Sequence, residues 1–370
     1  MCVPPHNRKK ADIVTGLLDW FSRSARDLPW RRTADPYAIW VSEIMLQQTQ
    51  VKTVIPFYDR WMRALPTILK LSRASSTQLH KLWEGLGYYT RVRNMQKAAK
   101  QILTLHHGEF PRLYEEILDL PGIGRYTAGA ISSIAFNEPR PILDGNVMRV
   151  LARIFGIGGD PRSKHTNAQL WNLSESLVQL ASRQTTSDLR ACSHFNQALM
   201  ELGALVCTPR QPRCGDCPVR GHCTALRTRR VEELPHKAAQ PRSTARVFAA
   251  FVVASDGEFR VRQRPAEVVN GHLWEFPNVE LNGTNKNARQ LAQLTIGMVP
   301  EKIDPLAVIK HSITRYRITM NVFAVTLNGS RSEVAGGGHW KSLQELRKLP
   351  FAAAHKRVVD QLWRKRPSIS

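Results

Sequence analysis

Two carboxylates in contrasting surroundings are the first candidates for chemistry in this sequence. Glu43 lies in A-I-W-V-S-E-I-M-L-Q-Q-T-Q-V, where most residues one helical turn away are apolar. Partial burial there should raise the pKa of Glu43 towards the range of a general acid. Asp144 precedes Gly145-Asn146 and a helical pattern, so we expect it to cap that helix and to stay ionised. Two carboxylates whose pKa values are pushed apart are typical of an acid and a charge stabiliser.

Both carboxylates also have purely structural interpretations. Glu43 could be a buried ion-pair glutamate with Arg31 as its partner, and Asp144 could serve only as a helix cap. A cap at a positive helix end and a stabiliser of positive charge are compatible roles, because both need an ionised carboxylate.

A glycine-containing turn, Pro121-Gly122-Ile123-Gly124, lies between two predicted helices. Two glycines permit positive φ, so the N–H groups of the turn and of the next helix can point at one anion. A nucleotide-binding loop would need a preceding strand and a G-x-G-x-x-G or G-K-[ST] pattern, and neither is present. The turn therefore predicts a phosphate contact, with a plain interhelical turn as the structural alternative.

Four cysteines form a second chemical group. Cys207, Cys214, Cys217 and Cys223 have the spacing C-x6-C-x2-C-x5-C directly after a predicted helix. Four thiolates so close in sequence can close a compact metal site, which suits either zinc or an iron–sulfur cluster. Cys2 and Cys192 lie outside this group, and we assign them no role.

Composition favours a polyanionic partner. The 370 residues predict two or three domains, and 53 Lys and Arg against 30 Asp and Glu give a net charge of +23. Such an excess is typical of nucleic-acid binding, although a basic surface tuned for solubility is an alternative. No apolar run reaches the roughly 18–20 residues of a membrane span, and the first ten residues lack the apolar stretch typical of a signal peptide. We expect an intracellular protein without disulfides.

Helical periodicity continues through the first 206 residues and then stops. The predicted helices are Asp12–Ser24, Ala38–Arg63 with an interruption near Pro56, Ser76–Glu84, Arg91–His106, Arg112–Leu118, Arg125–Phe136, Asn146–Phe155, Asn167–Ala181 and Phe195–Val206. Strands are predicted at Val247–Ala254 and Phe259–Gln263, around an Asp256-Gly257 hairpin, and at Ile318–Leu327, with a helix at Leu343–Trp363. The boundaries predicted from this pattern are a helical region 1–224, a basic, proline-containing linker 225–245 and an α+β domain 246–366.

The string L-P-G-I-G-R-Y-T-A-G-A, together with W-V-S-E-I-M-L-Q-Q-T-Q-V and L-D-G-N-V-M-R-V, resembles the helix–hairpin–helix base-excision DNA glycosylases. Specifically, it is similar to the adenine-removing, MutY-type branch, and the resemblance covers nearly the whole chain. It implies mainly α helix–hairpin–helix glycosylase domains, a six-helix part at about 30–145 and a cluster part formed by the N-terminal helix and 146–224. The cysteine spacing resembles that of glycosylases with a [4Fe-4S] cluster, which the resemblance therefore implies here.

The resemblance also implies roles for the candidate residues. Glu43 would protonate adenine N7 and Asp144 would stabilise the cation at C1′, with Tyr126 and Asn146 holding and tuning both carboxylates. Glycosylase/lyases of this superfamily carry a Schiff-base lysine where this chain has Tyr126, so a monofunctional enzyme with water as nucleophile is implied.

Further positions that match the family contact DNA and the extruded adenine. Gln48, Leu86 and Tyr88 would be the wedges that assist extrusion, and Gly122 and Gly124 would contact a phosphate. The adenine pocket would contain Arg26, Trp30, Arg31, Leu46 and Gln197. Gln197 could instead face solvent. Three arginines in or beside the cysteine loop would approach the DNA backbone: Arg210, Arg213 and Arg220.

The C-terminal G-H-L-W-E-F-P-N resembles the Nudix-like domain with which these enzymes inspect 8-oxoguanine. Residues 282–297 contain no acidic side chain, so magnesium-dependent Nudix hydrolysis is not expected. Ser312 and Thr314 would recognise the opposing base, although Ile313 and Arg315 depart from the family's Phe-Ser-His-like loop.

The implied partner is double-stranded DNA containing adenine opposite 8-oxoguanine or guanine. We expect a monomer that binds no membrane and is cytoplasmic and nucleoid-associated, as in bacteria. Two alternatives remain from the sequence: a bifunctional glycosylase/lyase acting on oxidised pyrimidines, and a non-catalytic iron–sulfur DNA-binding protein.

Overall fold

The structure is a computed structural model that describes residues 5–186, 189–236, 243–266, 268–281, 283, 287–313, 315–327 and 337–365. The chain divides into two compact units. The first comprises Met1–Arg73 and Arg93–Ala239, and the second comprises Ala74–Val92 and Gln240–Ser370. Segment 74–92, which lies in the predicted helical region, thus groups with the C-terminal domain.

The first unit is helical. Its helices are α1 Pro5–Ser24, α2 Pro36–Leu46, α3 Val51–Ala64, α4 Ile68–Arg73, α6 Thr90–Leu105 (whose first turn belongs to the second unit), α7 Tyr114–Leu118, α8 Arg125–Phe136, α9 Gly145–Phe155, α10 Lys164–Ser182, α11 Ala191–Leu205 and α12 Thr224–Arg227. The predicted helices agree in type, and Arg125–Phe136 agrees in both bounds. Helices α4 and α12 were not predicted, and α12 extends into the predicted linker.

The predicted interruption near Pro56 is wrong. The break lies at Gln47–Gln50, where Gln48 has φ 57°, and Pro56 lies inside α3. Pro56 and Lys52, four residues earlier, are both exposed. The carbonyl that loses its helical donor at a proline can therefore be hydrated, which reduces the cost of proline in a helix.

Two glycines permit the close approaches that bring α8, α9 and α11 together. A Cβ on Gly129 of α8 would lie 2.1 Å from the carbonyl oxygen of Pro141, just before α9. A Cβ on Gly203 of α11 would lie 2.7 Å from Cβ of Asn146. Larger side chains at either glycine would push these elements apart, so both positions help to place the start of α9.

The second unit is a mixed sheet with helices on both faces. Its strands are β1 Thr244–Ser255, β2 Glu258–Gln263, β3 Trp274–Glu275, β4 Asn278–Glu280, β5 Pro300–Ile313, β6 Tyr316–Leu327 and β7 His339–Ser342. Its helices are α5 Ser76–Trp83, α13 Ala288–Ile296, α14 Leu343–Lys348 and α15 Ala353–Lys365. The strand order is β3-β2-β1-β6-β5, with β1 parallel to β6, while β4 pairs with β1 and β7 with β2.

The alternating side chains of β1 supply both faces of this sheet. Ala250 and Val252 pack with residues of α14 and α15, whereas Phe251 and Val253 pack with residues of α13. The predicted hairpin is confirmed, because Asp256 and Gly257 have φ 49° and 75° and β2 pairs antiparallel with β1.

The single helix predicted at Leu343–Trp363 is wrong, because α14 and α15 are separated at 349–352. Pro350 interrupts helical hydrogen bonding, and its carbonyl accepts the backbone N–H of Trp274 at 2.8 Å. The interruption thus becomes part of the sheet edge.

Within the described ranges, no helix is both long enough and apolar enough to span a membrane.

Candidate active site

Glu43 is a buried carboxylate that bonds to Tyr126. Asp35 is the N-cap of helix α2 and accepts the backbone N–H of Tyr37, and α2 is buried from Tyr37 to Met45. An apolar helix surrounded by other elements carries its one carboxylate into the interior, and Glu43 is only 5% exposed. The hydroxyl of Tyr126, in the first turn of α8, donates to Oε2 of Glu43 at 2.8 Å.

The surroundings of Glu43 suit a general acid. Burial raises its pKa to about 7, and the neighbouring charge of Asp144 acts in the same direction. The hydrogen bond from Tyr126 and the positive charge of Arg31 lower the pKa and oppose this effect. Glu43 is therefore substantially protonated near neutral pH, as proton donation to a leaving group requires.

Asp144 is held by the first turn of α9. Its side chain accepts hydrogen bonds from the backbone N–H groups of Asn146 at 3.0 Å and Val147 at 2.8 Å. It also accepts one from Nδ2 of Asn146 at 3.2 Å. The predicted N-cap is therefore present, and the three donors favour the ionised form.

The expected pKa contrast between the carboxylates needs a correction. Burial raises the pKa of Asp144 as well, and the bonds from Val147 and Asn146 only oppose that increase. The difference lies in the hydrogen-bond donors: Asp144 has three donor groups aimed at it, whereas Glu43 has the Tyr126 hydroxyl. Of the two carboxylates, Asp144 is therefore the one whose ionised form is better stabilised by hydrogen bonds.

Arg31 pairs with Glu201, and the suggested Glu43–Arg31 ion pair is wrong. Glu201 on α11 is 1% exposed, and Arg31 donates to its two oxygens at 3.1 and 2.9 Å. Arg26 donates to the same oxygens at 2.8 and 2.6 Å. Burial alone would raise the pKa of Glu201, but the bonds from both arginines lower it to about 2. The sequence analysis missed Glu201, because nothing local distinguishes it from a surface glutamate.

The other predicted pocket residues are mostly enclosed. Trp30 is buried with its ring edge-on to Tyr58, and Leu46 is half-buried at the end of α2. Gln197 is 8% exposed and donates to Oγ of Ser193 at 3.1 Å, so the alternative that it faces solvent is wrong.

Arg149, which the sequence analysis also missed, connects the Asp144 side of the site to the cysteine loop. Its Nη2 donates to Oδ1 of Asn146 at 2.9 Å and to the carbonyl of Gly203 at 2.8 Å. Its Nε donates to the carbonyl of Cys207 at 2.8 Å. A continuous hydrogen-bond path therefore runs from Asp144 through Asn146 and Arg149 to the first cysteine. The sequence signal that could have identified Arg149 is its position about one helical turn after Asp144, the N-cap of α9.

The predicted DNA contacts differ in exposure. Gly122, Gly124 and Gln48 are exposed, with φ 81° at Gly122 and 57° at Gln48. In the second unit, Tyr88 is 44% exposed, whereas Leu86 is 5% exposed. Leu86 lies within the protein rather than on its surface, so of the two only Tyr88 presents a side chain that can enter DNA without rearrangement.

The four cysteines line one pocket. Cys207, Cys214, Cys217 and Cys223 surround it together with Arg153 and several apolar side chains. Within the described part of the chain, no three His, Cys, Asp or Glu groups are close enough to hold a single metal ion. Four thiolates around one pocket are the donor set that a [4Fe-4S] cluster requires. The four thiolates would hold that cluster and close the loop around it.

Positive groups surround the cysteine loop. Arg153 of α9 lies with Nη1 3.4 Å from Sγ of Cys207 and donates to the carbonyl of Thr208 at 2.7 Å. The three arginines predicted to approach DNA are exposed, namely Arg210, Arg213 and Arg220. Cys192 is buried away from this group.

The predicted opposing-base residues lie at the β5–β6 hairpin. Ser312 is exposed on β5 opposite Arg317, and Ile313 pairs with Tyr316 to close the hairpin. Arg315 is exposed and donates to the hydroxyl of Tyr316 at 3.1 Å. Thr314 lies outside the described residues.

The helical fold, the carboxylate pair and the four-cysteine loop together define an iron–sulfur base-excision DNA glycosylase. Family models agree: residues 41–176 match the HhH-GPD superfamily base excision DNA repair proteins. Residues 207–223 match the iron-sulfur binding domain of endonuclease III, and residues 249–361 match the NUDIX domain. The predicted fold class and the predicted [4Fe-4S] cofactor are confirmed.

Individual relatives narrow the class. The chain is 36% identical to adenine DNA glycosylase from Rattus norvegicus, over 94% of this chain and 78% of the relative. It is 35% identical to adenine DNA glycosylase from Homo sapiens, over 92% of this chain and 72% of that relative. A solved thermostable thymine-DNA glycosylase superposes with TM-score 0.54 at 29% identity, covering 61% of this chain and all of that one. The chain belongs to the adenine DNA glycosylases, hydrolases of N-glycosyl bonds that act in base excision repair.

Proposed function

We propose that this enzyme removes adenine paired with 8-oxoguanine or guanine in duplex DNA, as a monofunctional glycosylase. The observation that carries the proposal is the buried Glu43 bonded to Tyr126 beside an Asp144 that three donors support. This arrangement provides a proton donor and a fixed anion. At position 126, where a lyase would need an amine, it provides a phenol.

The proposed reaction needs two charge movements. Glu43, protonated near neutral pH, gives its proton to N7 of adenine, and the glycosidic bond electrons leave with the base. The positive charge that develops at C1′ faces the carboxylate of Asp144, which Asn146 holds in place. Water then adds to C1′ and gives up one proton to the Glu43 carboxylate, which leaves an abasic site and restores the acid. Catalysis needs both carboxylates, whereas DNA binding alone needs neither. Their presence in this chain argues against a purely DNA-binding function.

DNA binding is proposed to use the basic surface and the exposed turns. The Gly122–Gly124 turn and the N-terminus of α8 offer backbone donors to a phosphate, and Gln48 and Tyr88 assist extrusion of the adenine. Trp30, Leu46 and Gln197 would surround the extruded base, with Arg26 and Arg31 held in place by Glu201. The enzyme is expected to act as a monomer.

Recognition of the opposing base is proposed for the β5–β6 hairpin. Ser312 is exposed there and offers a hydroxyl. Arg315 adds an exposed guanidinium near the same turn, and this cation is a difference from the family's usual loop that can contact DNA phosphate.

Single-turnover assays test the proposed function. Duplexes with adenine opposite 8-oxoguanine, guanine or thymine are incubated with enzyme, and half of each sample is treated with alkali. We expect strand breaks only after alkali, fastest opposite 8-oxoguanine and slowest opposite thymine. Breaks without alkali, or covalent trapping by borohydride, would establish a lyase. Equal excision rates for adenine opposite 8-oxoguanine and opposite guanine would refute the proposed recognition of 8-oxoguanine.

A further inference from the structure

Helix α5 is bonded to the backbone of the C-terminal domain by two charged side chains. Glu84, directly after α5, accepts the backbone N–H of Phe351 at 2.9 Å, and Lys81 donates to the carbonyl of Leu349 at 3.1 Å. The two side chains also bond to each other at 2.8 Å, and that of Glu84 is only 11% exposed. An ionised acceptor in so little water makes a stronger bond than a neutral one. These bonds therefore fix the end of α5.

The backbone that receives these bonds is itself held firmly. Trp274 donates its N–H to the carbonyl of Pro350 at 2.8 Å and accepts the N–H of Ala352 at 3.1 Å. Phe351 is fully buried and stacks on Phe276 at 5.8 Å between ring centroids. The segment 349–352 is thus part of the domain core, so Glu84 is attached to a rigid element.

A second contact joins the same parts. The ring of His80, on α5, stacks on that of His272 at 5.9 Å between centroids. His272 belongs to the G-H-L-W-E-F stretch that also contains Trp274. Three side chains of one short segment therefore reach two neighbouring stretches of the sheet domain.

Glu84 also begins the turn that presents Tyr88. Within that turn, the carbonyl of Gly87 accepts Nε1 of Trp83 at 2.9 Å, and the carbonyl of Leu86 accepts Nη2 of Arg91 at 2.9 Å. Tyr88 has φ 47° and stays 44% exposed. A bulky residue at positive φ is held there by its surroundings, and such strain is concentrated at functional positions.

The opposing-base hairpin is joined to the same unit. Arg357, on α15, donates to the carbonyl of Lys310 on β5 at 3.2 Å. Ser312 lies two residues further along that strand. Bonds therefore connect the Glu84–Phe351 contact, through α15, to the strand that carries the hairpin.

We propose that Glu84 is a positioning residue that holds the Tyr88 turn and the opposing-base hairpin on one rigid body. Contacts to the opposing base then fix Tyr88 in register with the base pair that it opens, so lesion recognition is coupled to adenine extrusion. This inference rests on the proposed role of Tyr88 as a wedge. It assigns to Lys81 the lesser role of orienting Glu84.

The test is a double-mutant cycle of Glu84→Ala and Tyr88→Ala in the full-length holoenzyme. The first readout is the ratio of single-turnover rates for adenine opposite 8-oxoguanine and opposite guanine. The second is fluorescence of 2-aminopurine placed beside the target adenine, measured in an Asp144→Asn background so that no base is released. Glu84→Gln keeps an acceptor for the N–H of Phe351, and Asp360→Asn removes an exposed ion pair of α15 as the matched control.

Glu84→Ala should lower the ratio of rates about tenfold, as expected for a lost hydrogen bond to a charged group, and should reduce the fluorescence increase on binding. Glu84→Gln should restore most of the loss, Asp360→Asn should change neither readout, and Glu84→Ala should have no further effect when Tyr88 is already alanine. If Glu84→Ala cannot be purified folded, Lys81→Met is used and should give a smaller loss of the same kind.

The outcomes separate this inference from the proposed function. Unchanged readouts in Tyr88→Ala would remove the wedge role and with it the inference. A clear effect of Tyr88→Ala with none from Glu84→Ala would overturn the inference alone. Equal losses from Glu84→Ala with and without Tyr88 would also overturn it, because Glu84 would then act independently of the wedge.

Discussion

The hydroxyl of Tyr126 donates a hydrogen bond to Oε2 of Glu43 at 2.8 Å and thereby joins α8 to α2 inside the helical unit. Two opposing effects act on the same carboxylate: burial raises its pKa, and the tyrosine lowers it. Their balance leaves a glutamic acid that can give up its proton near neutral pH.

Removing either carboxylate function should abolish base release. Glu43→Gln cannot donate a carboxyl proton, and Asp144→Asn loses the anion while keeping an oxygen for the N–H groups of α9. We expect at least a hundredfold slower excision for each in single-turnover assays, with DNA affinity within about tenfold of the parent enzyme because the basic surface is unchanged. Excision near the parent rate by either variant would contradict the assigned roles.

Excision should fall as the pH rises through about 7. The pKa of Glu43 in the folded enzyme is about 7, against an ordinary value of 4.5, and the active form is the protonated one. Tyr126→Phe removes a bond that lowers this pKa, so the decline should move to higher pH. Rates measured from pH 5 to 9 check both statements, and a flat profile would exclude Glu43 as the acid.

The raised pKa of Glu43 also predicts how the stability of the folded protein depends on pH. The contribution of neutral Glu43 to stability is complete below pH 4.5 and is lost as the pH rises through about 7. Glu43→Gln has no such loss, so its free energy of unfolding should exceed that of the parent by a few kcal/mol at pH 8 and by little at pH 4. Urea unfolding at the two pH values measures the difference, and a pH-independent gap would argue against the raised pKa.

Glu201→Gln should destabilise the helical unit strongly. The substitution leaves Arg26 and Arg31 without their shared anion. Losing one member of a buried ion pair costs roughly 3 kcal/mol of folding stability. The cost is lower where a partner is partly hydrated, as the side chain of Arg26 is. Because the pKa of Glu201 is lowered to about 2, this contribution is present above pH 4.5 and is lost as the pH falls through about 2. Urea unfolding at pH 7 measures it. Glu233→Gln, which breaks an exposed pair with Arg230, is the control and should change stability by less than about 1 kcal/mol.

Arg149→Met should affect both the chemistry and the cluster loop. Methionine fills the space but leaves the carbonyls of Gly203 and Cys207 and the side chain of Asn146 without this donor. We expect excision at least tenfold slower and faster loss of iron to a chelator. Arg162→Met, at an exposed pair with Asp160, should change neither. Slower excision with normal iron retention would show that the path to Cys207 has no role in holding the loop.

Iron content tests the cysteine assignment directly. The parent protein should contain four iron atoms per chain and the visible absorbance of a [4Fe-4S] cluster. Cys217→Ser should lose iron, whereas Cys192→Ala should keep it, because Cys192 lies outside the pocket of the four ligands. Stoichiometric zinc without iron would contradict the cofactor assignment.

Local features were predictable because neighbouring residues determine them. The cap by Asp144 depends on N–H groups two and three residues away. The bounds of α8 follow from a glycine before it and Asn137 in the left-handed region after it. The cysteine cluster lies within 17 residues of sequence, and the β1–β2 turn follows from Asp256-Gly257.

Long-range pairing was decided only by the tertiary structure. Tyr126 and Glu43 are 83 residues apart, Arg149 and Cys207 are 58 apart, and Arg31 reaches Glu201 across 170 residues. A sequence contains several carboxylates that could pair with Arg31, and helix packing selects one of them by distance and burial. The sequence by itself determined the reactive groups and the family of this enzyme. Helix packing decided that Arg31 pairs with Glu201, and therefore that Glu43 is the glutamate able to carry a proton.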